Sequence, residues 1–333
     1  MILGCAGPVL EEEERAFFRA VDPVGFCLFR RNCVDPDQLR RLVGALREAL
    51  GRAAPVLVDQ EGGRVQRLKP PAWAKDPAPG RIAALAAADI DAAERAARDL
   101  ARAMAADLFA VGIDVDATPV LDLGIPGTSD VIGDRSLGAD PAQVARLGRA
   151  VCEGLMAGGV LPVVKHLPGH GRSLVDSHKD LPVIDADPAT LEADFAPFRA
   201  LVDMPWGMTG HVVYRAIDPD RPATLSPTVI ESVIRGSIGF DGVLVSDDLS
   251  MGALSGSIGD RAAGALAAGC DLALHCNGRM EEMRQMAEVC GPIGAEAARR
   301  LDRAAARRTV DPAPADPVAL RAAVARALEA VPA

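Results

Sequence analysis

"DIDAAERAARDLARAMAADLFAVGIDVDATP" spans residues 89–119. Its first two thirds place Ala, Leu and Met at helical spacing between Asp, Glu and Arg, which is the pattern of an amphipathic helix. The pattern stops at Gly112, a natural C-terminal cap because glycine readily takes the left-handed conformation that ends a helix. A β-like run, "IDVDATP" (113–119), follows at once. A helix that hands the chain directly to a buried strand is half of a βαβ unit. The fold then depends on how often that unit recurs.

It recurs along almost the whole chain. The candidate strands are "ILGC" (2–5), "GFCLF" (25–29), "PVLVD" (55–59), "IDVDATP" (113–119), "LPVVKH" (161–166), "WGMTGHV" (206–212), "GVLVSDD" (242–248) and "DLALHC" (271–276), with Ala/Leu/Arg-rich helical stretches between them. Eight such units predict an α/β protein built as a single (β/α)8 TIM-type barrel. A doubly wound sheet is the alternative, but no GxGxxG follows the first strand. The 333 residues, 49% of them hydrophobic, suffice for one large core, and residues 1–333 read as one catalytic domain. "DPAPADP" (311–317) reads as a turn or linker, and the Ala-rich segment 318–333 as a terminal helix packed on the barrel.

The net charge is −10 and no long Lys/Arg run occurs, which argues against nucleic-acid or membrane-surface partners. The start, "MILGCAGPVLEEEER", lacks the basic and apolar regions of a signal peptide, and no apolar stretch is long enough to span a bilayer. The seven cysteines are scattered and form no CxxC. Reduced thiols and a cytoplasmic location are expected.

Barrel chemistry sits at the C-terminal ends of the strands, and unusual polar residues gather there. They are Asp59, with Glu61, Arg64 and Arg67 in the turn beyond it; Asp122; Lys165 and His166; His211; Asp247 and Asp248; and His275 with Asn277. Each has a plainer reading: Asp59 or Asp248 as a cap, His275 as a satisfied core histidine, His170 as a loop support. The stretch "VVKHLPGHGRSLVDSHKDLPV" (163–183) holds three of the five histidines, His166, His170 and His178. They could bind metal, transfer protons or grip a polar ligand. Metal is disfavoured: the spacing "HLPGH" contains Pro and Gly, so no regular helix presents both rings on one face, and there is no HExxH.

Taken together, "DQEGGRVQRL", "GDRSLGADP", "KHLPGHGRSLVDSHKDLP", "MTGHVVY", "GFDGVLVSDDLSMGA" and "AGCDLALHCN" resemble, in order and spacing, the glycoside hydrolase family 3 β-N-acetylhexosaminidases, and most of all the single-domain bacterial enzymes of cell-wall recycling. The likeness covers nearly the whole chain. Departures are Leu167, Gly210 and the pair Arg172–Ser173. The resemblance implies that Asp247 is the nucleophile, that His178 is the general acid/base with Asp176 as its partner, and that Asp59, Arg67, Arg135, Lys165 and His166 hold the non-reducing sugar, with His211 lining the site. It implies as substrate N-acetylglucosaminyl-anhydro-N-acetylmuramic acid with or without peptide; no cofactor and no metal are expected.

The chemistry is coherent. A retaining glycosidase needs a carboxylate under the anomeric carbon and a proton donor at the leaving oxygen. Histidine, with an ordinary pKa of about 6.5, can give a proton and take it back. An aspartate two residues earlier can fix its tautomer. Aromatic residues make up only 3% of the chain, so stacking platforms for a long polysaccharide are few and a small soluble sugar or muropeptide is expected, acted on by a monomer. The rival readings are a family 3 β-glucosidase-like enzyme, whose usual second domain has no room before Ala333; a metal-dependent barrel hydrolase; and a catalytically inactive sugar-binding barrel.

Overall fold

The computed structural model describes residues 1–177 and 180–329. Eight parallel strands close into a barrel: β1 (Ile2–Leu3), β2 (Gly25–Leu28), β3 (Val56–Val58), β4 (Val115–Asp116), β5 (Leu161–Leu167), β6 (Trp206–Thr209), β7 (Val243–Asp248) and β8 (Leu272–His275). Each strand pairs with its sequence neighbours, and β8 returns to β1 with Leu274 opposite Ile2. Closure excludes the doubly wound sheet, which would leave two open edges. Seven of the eight strands lie inside the predicted runs, and β5 extends one residue past its run, to Leu167. β4 is shorter than its run, because Thr118–Pro119 follows and proline has no N–H for the ladder.

The helices ring the barrel: α1 (Glu12–Val21), α2 (Pro36–Leu50), α3 (Pro79–Ala86), α4 (Ile90–Ala110), α5 (Pro141–Ala157), α6 (Pro188–Ala200), a π-helical turn over Val229–Ser237, α7 (Ile258–Ala268) and α8 (Met280–Val289). α4 ends as its sequence predicts. Gly112 has φ 84, its N–H donates to Phe109 O at 3.0 Å, and Ile113 N–H donates to Leu108 O at 3.0 Å, which satisfies the last carbonyls in a Schellman arrangement. Four helices begin with the dipeptide Asp-Pro. In α2, α5, α6 and the terminal helix the aspartate side chain caps a free N–H while the proline occupies a position whose N–H needs no partner.

Two helices follow the barrel. α9 (Ala295–Ala306) lays Leu301 and Ala304 against the interior residues at the N-terminal end of the barrel. α10 (Pro317–Leu328) buries Val324 and Leu328 in the main core, and its Arg321 pairs with Asp76 at 2.6 Å and Asp107 at 2.8 Å. The "ADP" that reads as linker therefore opens this helix. Among the described residues no helix is long and apolar enough to cross a membrane.

Candidate active site

The alternation of strand side chains builds the site. Leu57, Val163 and Val245 face the barrel interior. Side chains two residues on return to the same face, so the next inward positions are Asp59, Lys165 and Asp247. All three line a cavity of about 600 Å³ at the C-terminal mouth. The same parity separates the two acids that end β7. Asp247 faces inward. Asp248 turns to the loop, where its carboxylate accepts from Ser250 N at 3.0 Å, Ser250 Oγ at 2.7 Å and Cys276 N at 3.1 Å. Asp248 is a turn cap, the plainer of its two readings. Among the described residues, Asp247 accepts only the Asp248 N–H, at 2.8 Å.

Beside Asp247 lies a buried charge network. Lys165 Nζ contacts Asp59 Oδ1 at 2.9 Å and Glu61 Oε1 at 2.6 Å. Arg67 Nη2 donates to Asp59 Oδ2 at 2.9 Å, and its guanidinium lies 4.4 Å from the Phe29 ring centroid. Arg135 grips Glu61 with two parallel bonds of 2.8 Å. Burial alone would raise both carboxyls, but Lys165 and Arg67 hold Asp59 well below the carboxylate range, and Arg135 and Lys165 hold Glu61 at about 2. Burial would lower the Lys165 ammonium; Asp59 and Glu61 reverse that and raise it. The cluster is therefore fully charged at neutral pH, with polar groups fixed before any ligand arrives.

Asp116 lies beneath the cluster on β4. One oxygen accepts the Gln60 N–H at 2.9 Å, the other has no partner, and burial raises this carboxyl well above its ordinary range.

The cluster makes a stability prediction. Lys165 is 2% exposed, and Lys165→Met would leave two buried carboxylates without the cation between them. Removing one partner of such a group typically costs about 3–5 kcal/mol, which urea unfolding would show. A carboxylate with a depressed pKa stabilises the fold above its ordinary value near about 4.3 and loses that contribution as pH falls through its folded value, about 2 for Glu61. The variant, whose carboxyls are held less far down, should therefore lose less stability than the parent as pH falls from about 4.3 to about 2, so the gap between the two should narrow with acidification.

The histidines fall into three environments. His166 Nδ1 lies 2.6 Å from Asp122 Oδ2; the carboxylate can only accept, so Nδ1 carries the proton and Nε2 is left for a ligand. His170 donates its N–H to Asp122 at 2.6 Å, and its Nε2 lies 3.2 Å from Ser177 Oγ. Burial lowers His170 to about 4, so it is neutral at working pH and supports the loop rather than carrying charge. Burial lowers His211 too. Its Nε2 faces the Asp248 carbonyl at 3.1 Å, which only accepts, and its Nδ1 lies 2.8 Å from Thr224 Oγ1. His275 is fully buried and bonded to Glu282 at 2.8 Å, as a core histidine. Among the described residues no three His, Cys, Asp or Glu side chains are grouped to hold a metal ion.

Asp247 is ionised. Burial pushes its carboxyl up, but His211, His166, the Asp248 N–H and Lys165 outweigh that and hold it below its ordinary value.

The profile of the glycosyl hydrolase family 3 N-terminal domain matches residues 10–309. The chain belongs to glycosyl hydrolase family 3. It is 42% identical over 282 residues to a beta-hexosaminidase of Alkalilimnicola ehrlichii, covering 83% of this chain and 80% of that one. A beta-hexosaminidase of Chromobacterium violaceum is 40% identical over 315 residues, 92% of this chain and 87% of its own. Native NagZ from Neisseria gonorrhoeae superposes with a TM-score of 0.88 at 35% identity, over 98% of this chain and 97% of that chain. This family 3 member is a glycoside hydrolase, a β-hexosaminidase.

The structure brings Asp59, Arg67, Arg135, Lys165, His166, Asp176 and Asp247 together on one cavity wall. His178 lies outside the described residues, though Ser177 before it is on that wall. His211 is a correction: it is fully buried and does not line the cavity. It stands behind the wall, where its Nε2 meets the Asp248 carbonyl at the point where the chain leaves β7 for Leu249. Glu61 was seen in the sequence only as a turn residue, yet it joins Lys165 to Arg135. Its spacing of two from Asp59, over residues that form a strand-like hairpin, is the signal that would have placed both acids on one face. Asp122, seen only as a strand end, orients His166.

Proposed function

We propose that this enzyme is a retaining β-N-acetylglucosaminidase that removes non-reducing terminal N-acetylglucosamine from small muropeptides, anhydro-muropeptides of peptidoglycan recycling among them. The observation that carries the reading is the contrast at the end of β7: both acids border the cavity, but the Asp248 carboxylate is occupied as a turn cap, while the ionised Asp247 faces a cavity walled by fixed charges. Asp247 attacks the anomeric carbon and forms a glycosyl ester. His178, oriented by Asp176, protonates the departing oxygen and then activates water. Asp59, Arg67, Arg135, Lys165 and His166 hold the sugar hydroxyls. The fold of the gonococcal NagZ in complex with N-trifluoroacetyl-D-glucosamine, TM-score 0.85, supports an N-acylated glucosamine as the sugar. A cavity of about 600 Å³ suits a small ligand rather than a long glycan. We assign no metal or cofactor to the reaction and read the enzyme as a monomer with no nucleic-acid or membrane partner. Seven unpaired cysteines, six of them buried, suit a reducing cytoplasm.

Stereochemistry tests the two-step route. Two displacements at one carbon restore its configuration, so NMR of the first product from an aryl β-N-acetylglucosaminide should show the β anomer before mutarotation. The α anomer appearing first would exclude a glycosyl-enzyme.

A further inference from the structure

Arg64 has no place in the sugar grip described above, yet four hydrogen bonds converge on it. It sits at the tip of the hairpin made by Gln60–Gly62 and Val65–Gln66, next to Asp59, Glu61 and Arg67. The tip is rigid. Gly62 and Gly63 have φ of 93 and 57, and a Cβ at these positions would come within 2.4 Å of the Pro77 carbonyl and 2.6 Å of Ala78 Cβ. The Gly63 N–H is fixed to Asp76 O at 3.0 Å.

From this base Arg64 reaches the chain segment on the cavity rim that leads to Arg135. Its Nε donates to Asp134 Oδ1 at 2.7 Å, and its Nη2 to the carbonyls of Asp130, Val131 and Ile132 at 2.6, 2.9 and 3.1 Å. The carbonyls point the same way because the segment winds into the 3-10 turn Gly133–Arg135, with Gly133 at φ 46. The Val131 carbonyl also accepts from Arg135 Nη1 at 3.0 Å. One guanidinium thus offsets the repulsion of three gathered carbonyls and shares one of them with Arg135.

We propose that Arg64 is a positioning residue: it pins residues 130–134 to the hairpin and so fixes Arg135 against the sugar. The proposal rests on the sugar-holding role of Arg135. Lysine cannot substitute, because Nε on a carboxylate and Nη2 on carbonyls need a planar fork.

The test compares Arg64→Ala, Arg64→Lys, Arg135→Ala and the double variant Arg64→Ala/Arg135→Ala on an aryl β-N-acetylglucosaminide. Arg64 is about half exposed, so the single variants should fold. Arg64→Ala should raise KM about tenfold with kcat within about threefold, since it disturbs binding rather than chemistry. Arg64→Lys should recover little of the loss. The double variant should be no worse than Arg135→Ala alone, because the two residues act in series. Amide exchange over residues 130–136 should quicken about tenfold in Arg64→Ala, a readout that does not depend on the sugar assignment. Unchanged exchange, or losses that add in the double variant, would overturn the proposal; additive losses would mean that Arg64 touches the sugar itself. Faster exchange with an unaltered KM in Arg135→Ala would keep the pin but refute both the sugar role of Arg135 and the coupling to it.

Discussion

Asp247→Ala should lower kcat by about 10^3-fold or more and leave the melting temperature nearly unchanged. The variant removes the atom that forms the covalent bond, while the strand around it keeps its hydrogen bonds. Asp247 gives up one local bond, to the Asp248 N–H. Asp248→Asn should do the opposite. The Asp248 carboxylate gathers two backbone N–H groups and the Ser250 hydroxyl, so its loss bears on the loop between β7 and α7. A capping loss is worth about 1 kcal/mol, and activity should fall far less than in Asp247→Ala. If the two variants came out reversed, the assignment of the two acids would be wrong, and so would the parity argument that separates them.

His178→Ala should hurt in proportion to the leaving group's need for a proton. A nitrophenolate can depart unassisted; a sugar alkoxide cannot. General acid catalysis is typically worth about 10^2–10^4-fold, and the loss in kcat/KM on a disaccharide should approach that range while the loss in kcat/KM on a nitrophenyl glycoside stays small. Asp176→Ala should show the same pattern more mildly, since the ring survives without its orienting carboxylate. On the nitrophenyl substrate the second step then becomes slow, because the same imidazole should activate the water, and a burst of nitrophenol should precede a slower steady state. Equal losses on both substrates would point to a binding or loop-ordering role for His178.

The fold was legible because its signals are local and repeated. Gly112 ends α4 where the helical pattern stops, and each barrel strand is an apolar run bounded by helix. Pro317 was harder to place: in a Pro-rich stretch the Asp-Pro that opens a helix looks like any other turn. The site was legible where chemistry and strand parity coincide, as at Asp59, Lys165 and Asp247. It was less legible where a residue works through a partner distant in sequence. Glu61 meets Arg135 across 74 residues, and Asp122 meets His166 across 44, contacts that only the closed barrel creates. His211 misled for a related reason. A histidine just beyond a strand end resembles a ligand, but Gly210 and the Thr224 hydroxyl draw it into the wall.

The central claim is a covalent glycosyl-enzyme on Asp247, and mass analysis of the stalled enzyme tests it most directly. His178→Ala enzyme, quenched in acid during turnover of a nitrophenyl β-N-acetylglucosaminide and then digested, should yield the peptide containing Val243–Asp248 heavier by one N-acetylhexosaminyl unit. Fragmentation should place that mass on Asp247. A sugar mapped to Asp248 or to any other residue, or a kinetic burst from protein that carries no sugar, would contradict the account.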